Sequence, residues 1–377
     1  MKRFGLSLAL FVAGAAVATG IAAAQPMYEF KLGFAALADL IPEIVGEPLE
    51  NEHHSPINGD ALQQTAKGLM VWRKADNWTA FTNGYRSWIN GPFGVEERGN
   101  DERFKWEVPA LPRVSPPPAV AEPTPVLKEH LLVTWYGSLQ SPLMGVLGEY
   151  SGEELGKRLR KQAEAYAPLT EKDVLPAYHL VAVIARGSPG DDGLWRQREP
   201  REAIDSMLEQ ARANSFPLIL DVQLAHSRVE DELEYLRPYL EQPDVYLALD
   251  PEFDMWPGQA PGQQIGHTAA AEVNYAIRYL ENIIYDKGLP PKVLIVHQFT
   301  ASMLPDKERI GRSSVVDLVL NMDGFGSQVG KLQSYQKVMA APLQYPGIKL
   351  FYRHDPGLFT PEQVMQLKPT PSVVVYQ

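Results

Sequence analysis

Two carboxylates flank a proline at the end of an apolar run in the segment VYLALDPEFDMW. Val245–Leu249 is apolar apart from one tyrosine hydroxyl, and Asp250, Pro251 and Glu252 follow it directly. Because Pro251 has no N–H, it cannot extend the ladder of a central strand, and we expect the strand to end here. Two carboxyl groups in one pocket disfavour double ionisation, so the pKa of one of them should rise. One group can then donate a proton while the other stays charged, which is what glycosidic bond cleavage requires.

Polar side chains also follow other apolar runs in this part of the chain. Asp221/Gln223 and Asn321/Asp323 repeat the i, i+2 spacing of Asp250/Glu252, and side chains two apart on a strand point to the same side. We predict Glu252 as the general acid/base, because it has the longer reach. Asp250 would orient Glu252 or stabilise positive charge on the sugar. The predicted substrate-binding residues are Tyr136, Arg186, Asp221, Gln223, His297, Gln298, Asn321, Asp323, Arg353, His354 and Tyr376.

The second carboxylate of the reaction is left open by the sequence. Cβ atoms two residues apart on a strand are separated by about 6.6 Å, which falls between the spacings typical of retaining and inverting enzymes. Asp221 or Asp323, from another strand, could equally be the partner of Glu252.

The elements that must position these residues are eight short runs, mostly unalternating and rich in Val, Ile and Leu, as strands buried on both faces should be. Helical patterns separate most of them, which predicts an α/β fold of the (β/α)8 TIM-like type. A doubly wound open sheet is the alternative. The last run is followed only by Tyr376-Gln377, so we expect the barrel to lack its eighth helix. The runs are Leu131–Trp135, Leu180–Ala185, Pro217–Leu220, Val245–Leu249, Val293–Val296, Val315–Leu320, Ile348–Tyr352 and Val373–Val375.

Two further segments precede the predicted barrel, which we place at residues 128–377. Residues 27–107 combine helical spacing near the start with short aromatic and β-branched runs, which predicts a small α+β module with a β-meander. Four of the seven tryptophans lie in it, either as a glycan-contacting surface or as core. Residues 108–127 are rich in proline and have no glycine, which predicts an extended linker.

The N-terminus has the pattern of a secretory signal peptide, residues 1–24. Lys2 and Arg3 precede an apolar run, and Ala22 and Ala24 suit the positions before a cleavage site. An uncleaved membrane anchor is the alternative. We therefore expect a secreted or cell-surface protein.

The composition excludes several classes of function. The chain of 377 residues has no cysteine, so thiol nucleophiles, disulfides and zinc–thiolate sites are excluded. A net charge of −11 and the lack of a Lys/Arg cluster argue against nucleic acid as a partner. No glycine-rich phosphate loop follows the first predicted strand, and we expect no cofactor.

One motif resembles that of a known enzyme family. Asp250-Pro251-Glu252, an Asp-x-Glu at the end of the fourth strand of an exported barrel, resembles the motif of the GH25-type lysozymes, which cleave peptidoglycan glycan strands. The resemblance implies that Glu252 is the catalytic acid. Those enzymes also carry an aspartate on the first strand, and LLVTWYGS has none.

Both the predicted barrel and the predicted first module carry a broader resemblance. The segments MGVLGE, LALDPEF, HQF and MDGFG are similar to those of exported bacterial TIM-barrel proteins of the glycoside-hydrolase-like type. The stretch from PLENEH to WINGPFG looks like a module joined to bacterial wall-associated proteins. The resemblance implies a wall or surface setting.

The sequence as a whole favours a secreted glycoside hydrolase that acts on a cell-wall or extracellular polysaccharide by carboxylate acid/base catalysis. A non-catalytic glycan-binding or surface-structural barrel is the first alternative. A metal-dependent hydrolase that uses Asp221, Asp250, His297, Asp323 and His354 is the second, because carboxylates and imidazoles can hold a divalent cation.

Overall fold

The computed structural model describes residues 28–114, 123–341 and 343–377. The predicted signal peptide, residues 1–24, lies outside them, as do residues 115–122 of the predicted linker. Within the described ranges, no helix has both the length and the apolar character needed to span a membrane. The chain divides into two compact units between Asn90 and Gly91.

The first unit combines helices with an antiparallel sheet. Its core contains Phe34, Leu37, Met70 and Phe81, together with Trp78 and Trp88, so these two tryptophans fill the interior of the module. In the sheet each strand pairs with the next one along the chain. The elements are α1 (Leu32–Leu40), α2 (Pro42–Val45), β1 (His53–His54), β2 (Ala61–Gln64), β3 (Leu69–Arg73), β4 (Trp78–Thr82) and β5 (Arg86–Gly91), and β6 (Gly94–Gly99) follows.

The second unit contains a closed barrel of eight parallel strands, which confirms the predicted α/β barrel. The strands pair in chain order, and the ring closes where the last strand pairs with the first, with Val373 beside Leu132. The barrel strands are β7 (His130–Gly137), β8 (Asp173–Ala185), β10 (Leu218–Val222), β11 (Val245–Leu249), β12 (Lys292–Gln298), β13 (Val316–Met322), β14 (Tyr345–Leu350) and β15 (Val373–Tyr376). A short strand, β9 (Arg196–Arg198), pairs antiparallel with β8 outside the ring.

Helices connect most of the barrel strands. They are α3 (Val126–Glu129) before β7, then α4 (Gly152–Glu164), α5 (Arg201–Ala213), α6 (Val229–Leu240), α7 (Ala270–Lys287), α8 (Gln328–Met339) and α9 (Pro361–Met365). The described residues between β12 and β13 form two 3₁₀ turns, Ala301–Met303 and Lys307–Arg309, in place of an α-helix. The lack of an eighth helix after β15 stays a prediction.

The barrel strands are apolar on both faces because both faces are buried. Outward side chains such as Leu220, Leu247 and Leu294 pack with the helices in one large cluster. Inward side chains such as Ile219, Ala248 and Ile295 form a second cluster inside the ring. A parallel barrel therefore shows continuous hydrophobic runs where an exposed sheet would show alternation.

The segment that precedes the barrel packs against it. Lys105 forms an ion pair with Asp254 and donates a hydrogen bond to the carbonyl oxygen of Ala225 at 2.8 Å. Asn282 of α7 donates to the carbonyl oxygen of Pro112 at 2.9 Å and accepts from the N–H of Val114 at 3.1 Å. Residues predicted to lie in the first module and the linker thus contact the barrel directly.

Candidate active site

The interior of the barrel changes from apolar to polar towards the carboxyl ends of the strands. On β10, Ile219 points inward and is followed two residues later by Asp221 and then by Gln223. On β12, Ile295 is followed by His297 in the same way. The same period of two that builds the inner core therefore delivers a set of polar side chains to one end of the barrel.

Three fully buried side chains form a hydrogen-bonded row across this end. Oδ2 of Asp221 lies 3.0 Å from Nε2 of His179 and 3.1 Å from Nε2 of His297, and all three side chains are inaccessible to solvent. Their strands, β8, β10 and β12, all point them inward. Asp221 thus lies beneath the mouth of the barrel, held between two imidazoles.

The two histidines differ in protonation. Burial lowers the pKa of His179 to about 4, so this ring is neutral at neutral pH. Burial also opposes charge on His297, but the carboxylate of Asp221 and hydrogen bonds to Asp221 and Asp323 raise its pKa to about 10. The same contacts overcome the effect of burial on Asp221 and hold the pKa of that carboxyl well below its usual range. A charged His297–Asp221 pair therefore lies inside the barrel.

His297 extends this row to β13. Its Nδ1 lies 3.3 Å from Oδ2 of Asp323 and 3.2 Å from the amide nitrogen of Asn321. A charged imidazole donates from both nitrogens, so the Asn321 amide must turn its oxygen towards His297, and this oxygen otherwise has no partner. His297 thus places a positive charge directly behind the carboxylate of Asp323.

Asp250 and Glu252 are held by the turn that ends β11. Pro251–Phe253 forms a single 3₁₀ turn, and Asp250 caps it by accepting the N–H of Glu252 at 3.3 Å. The amide nitrogen of Gln223 donates to Oδ2 of Asp250 at 3.3 Å, and its oxygen accepts the N–H of Ala185 at 3.0 Å. The proline thus ends the strand, and the side chain of Asp250 is fixed from two sides.

Both carboxyl groups are shifted towards the protonated form. Burial, followed by the negative charges of Asp221, Asp323 and Glu252, raises the pKa of Asp250 well above its usual range, despite the opposing charge of His297. Burial and the charge of Asp323 also raise the pKa of Glu252, which is only partly buried. The Asp250–Glu252 pair therefore retains a proton near neutral pH.

These groups open into a cavity of about 700 Å³. Asp250, Glu252 and Asp323 each offer one oxygen atom, and the three oxygens lie within 4.8 Å of one another. Aromatic rings make up much of the remaining wall, an arrangement suited to the faces of sugar rings. The described lining residues are Tyr136, Leu143, Met144, Ala185, Gln223, Asp250, Glu252, Phe253, Phe299, Asp323, Gly324, Phe325, Ser334, Lys349, Phe351, His354 and Gln377.

Two clusters in this region have the composition of a metal site. Asp250, Glu252 and Asp323 offer oxygen ligands, which suit a hard divalent cation. In the second cluster, His179 and His297 already bind Asp221 by hydrogen bonds. His354 belongs to neither cluster, so the five-residue metal set expected from the sequence divides between two places and leaves one member out.

The other predicted site residues lie away from the carboxylates. Gln298 accepts a hydrogen bond from Lys307 at 3.0 Å, and Arg353 pairs with Glu149 at 2.5 Å. Arg186 is exposed beyond the end of β8. Tyr376 is buried in the layer between strands and helices, where its hydroxyl meets that of Tyr166 at 2.6 Å.

Four predicted residues do line the cavity besides Asp250 and Glu252, and three, Asp221, His297 and Asn321, are buried beneath it. Tyr136, Gln223, Asp323 and His354 are in the cavity wall, and Tyr136 accepts a hydrogen bond from Gln223 at 3.3 Å. Asp221 and His297 form the buried row. The structure thus brings together most of the predicted residues at the carboxyl ends of β7, β10, β11 and β13.

Among the residues of the site that were not predicted are His179, Lys349 and Gln377. β8 begins at Asp173, so His179 lies inside this strand, where its inward neighbours are Ala177 and Val181. Lys349 lies within β14 and Gln377 follows β15, and both line the cavity. His179 and Lys349 could have been found from the sequence as polar residues inside apolar strands.

Comparison of the chain with models of known protein families found no match, and a search of curated proteins found no relative.

Proposed function

We propose that the second unit is a glycoside hydrolase whose reaction takes place at Asp250, Glu252 and Asp323. The observation that carries the proposal is the convergence of these three carboxyl groups, within 4.8 Å of one another, in the wall of an open cavity. Retaining glycosidases place two carboxyl groups about 5–5.5 Å apart, whereas inverting enzymes need more room for a water molecule. The spacing therefore favours a retaining mechanism.

Each carboxyl group has a role that follows from its surroundings. Glu252 is the least buried of the three and its pKa is raised, so it acts as the acid that protonates the leaving oxygen and later as the base that activates water. Asp323, whose Oδ2 lies 3.3 Å from Nδ1 of His297, is the group that attacks the anomeric carbon. Asp250 shares the proton of Glu252 and fixes its position through the turn.

A polysaccharide is the substrate that best suits the surface around the cavity. A second depression of about 490 Å³, lined by Trp135, Tyr150 and Tyr352, lies near the cavity. A small hollow lies between the two, because it shares Leu143, His354 and Gln377 with the cavity and Tyr352 with the second depression. The exposed side of the Tyr352 ring can contact a further sugar unit along such a groove.

The wall or extracellular setting of this activity rests on the sequence alone, through the signal-peptide pattern and the resemblances of both segments. It stays part of the proposal. The predicted partner is accordingly a cell-wall or extracellular glycan.

The test is a screen of the protein, produced from residue 25 onward, against a polysaccharide panel that includes peptidoglycan. New reducing ends should appear with at least one polymer, and Glu252→Gln should remove them. Arg186→Gln is the matched control, because Arg186 is exposed and outside the cavity wall. Binding of several glycans with no cleavage would favour the non-catalytic barrel instead.

A metal-dependent hydrolase is the second candidate, favoured by the same three oxygens. A bound dication would favour the ionised form of the carboxyl groups, so the raised pKa values of Asp250 and Glu252 would fall. Activity measured against pH with EDTA and with added Mg²⁺, Ca²⁺ or Mn²⁺ separates the two. Loss of activity with EDTA and recovery with one cation would replace the acid/base assignment by a metal-assisted one.

A further inference from the structure

Lys349 is a buried lysine that has no hydrogen-bond or ion-pair partner among the described residues. It is 3% exposed, and among the described residues no hydrogen-bond acceptor and no carboxylate within ion-pair distance contacts its ammonium group. Its Nζ lies 3.5 Å from the centre of the Tyr136 ring and 5.4 Å from that of Phe351. The ammonium group thus lies over aromatic rings at the cavity wall, where a ligand can reach it.

Two other buried lysines of the same unit show the usual arrangement. Lys331 is 2% exposed, and it pairs with Asp355 at 2.9 Å and donates to the carbonyl oxygen of Gly324 at 2.6 Å. Lys292 is fully buried and donates to two carbonyl oxygens. The fold therefore supplies partners to these lysines, whereas Lys349 retains hydrogen-bonding capacity and lies in the wall of the cavity.

The position of Lys349 matters for the ligand. The cavity wall also holds the three carboxyl groups, but none of them comes within 4.0 Å of the ammonium nitrogen as an ion pair. A ligand in the cavity can therefore reach the carboxyl groups with one part and Lys349 with another. A neutral ligand that fills the cavity would leave the ammonium group buried without a partner. Its binding affinity would therefore be much lower than that of a ligand that pairs with the lysine.

Resting on the proposed glycosidase function, we propose that the sugar bound beside Glu252 carries a carboxylate, and that Lys349 binds this carboxylate. Phosphate is a poorer fit, because phosphate sites usually use an arginine fork, a helix N-terminus or several donors. Of the described residues that line the cavity, only Lys349 and His354 are basic. The substrate class is thus an acidic glycan of the uronic acid type.

The experiment compares polymers that differ only in the carboxylate. Polygalacturonate, hyaluronan and alginate oligosaccharides are each tested beside their carboxyl-reduced forms, by calorimetric binding to the Glu252→Gln protein and by cleavage with the wild type. At least one acidic form should bind roughly 10- to 100-fold more tightly than its reduced form, as expected for a hydrogen bond to a charged group.

Variants assign this preference to the lysine. Lys349→Met keeps the length of the side chain without its charge and should remove the preference, while Lys337→Met, which removes the same charge from an exposed position on α8, should leave it intact. An effect exerted only through the pKa of Glu252 would change acidic and reduced substrates alike.

Three results would overturn the inference: no binding of any acidic form, equal binding of the acidic and reduced forms, or a preference that survives in Lys349→Met. If that variant does not fold, the wild-type comparison of acidic and reduced forms decides alone.

Cleavage of reduced and acidic polymers with equal ease would remove the inference and leave the glycosidase. Tight, lysine-dependent binding of an acidic form with no cleavage on any polymer would remove the glycosidase and leave the anion site.

Discussion

The lower half of the barrel interior is mostly apolar and the upper half is mostly polar, although the same strands build both. Ile219, Ala248, Ile295, Val319 and Val373 fill the lower half. The upper half contains His179, Asp221, His297, Asn321, Asp250, Asp323 and Lys349, all at least nine-tenths buried. On a single strand the change takes place over two residues.

The two halves differ in what they contribute to folding. A buried aliphatic side chain stabilises the fold by about 1.5–3 kcal/mol, whereas a buried polar group is at best near neutral and costs energy when a hydrogen bond is missing. Nδ1 of His179 and one oxygen each of Asp221 and Asp323 have no partner among the described residues. The upper half is therefore retained for something other than stability, which is the condition expected of a functional site.

The largest effect should come from Glu252→Gln. Removal of a general acid/base typically costs about 10²–10⁴ in rate, while the fold should be unaffected because Glu252 is only partly buried at the end of a strand. The measurement is kcat/KM on a cleaved glycan together with the thermal midpoint. Retention of most of the activity would exclude this residue as the acid/base and shift attention to Asp323.

The next effect should come from Asp221→Asn, which removes the carboxylate between two imidazoles. Breaking a buried ion pair costs roughly 3–5 kcal/mol. The pKa of His297 is raised to about 10 in the folded protein, whereas in the unfolded chain it is about 6.5. The charged histidine therefore stabilises the fold fully below about pH 6.5, and this stabilisation is lost as pH rises through 10.

The free energy of unfolding in urea, measured from pH 5 to 9.5, tests this assignment. The difference between wild type and Asp221→Asn should be largest near pH 5–6 and shrink as the solution becomes alkaline. A difference that does not change with pH would mean that the pair is not charged in the folded protein.

A smaller effect of opposite sign is expected for Asp250→Asn at alkaline pH. The folded pKa of Asp250 is raised, so its stabilising effect is complete below the unfolded value of about 4 and is lost as pH rises through the folded pKa. Asparagine mimics the protonated form and lacks this loss. Between the unfolded and the folded pKa of Asp250, the free energy of unfolding of the variant should therefore rise relative to that of the wild type by at most about 1.4 kcal/mol per pH unit. If the two free energies of unfolding change in parallel with pH, the pKa of Asp250 is not raised.

The smallest effect should come from Ile219→Val, two residues before Asp221 on the same strand. Loss of one buried methylene costs about 0.5–1.5 kcal/mol, and the change should be the same at every pH. Activity per folded molecule should match the wild type, since Ile219 lies in the apolar cluster below the site. A pH-dependent loss here would mean that the two halves of the interior are coupled.

The sequence predicted the barrel well because its strands are buried on both faces and appear as uninterrupted apolar runs. It predicted the site less completely, because a position near a strand end does not say which way the side chain points. Tyr136 and Tyr376 both close their strands, yet the first points into the barrel and the second towards the helices. The direction is set by pairing register, which the sequence alone does not contain.

An irregularity in β8 adds to this difficulty. Asp221 pairs with Val181 and Val222 pairs with Val183, so the register shifts by one residue near the end of β8. A shift of one residue reverses the direction of every side chain that follows. The shift places Val181 and Ile184 on the inward face, whereas Arg186, predicted to face the site, lies past the end of β8 and is exposed.

The ion pair of Lys105 with Asp254 has a consequence for how this chain can be divided or recombined. Lys105 is bonded to residues that follow β10 and β11, on the same turn region that carries Asp250 and Glu252. A fusion that joined a foreign module at the proline-rich segment would discard this residue and strip a buried carboxylate of its counter-ion. A transferable barrel must therefore begin before Lys105, well upstream of the proline-rich segment.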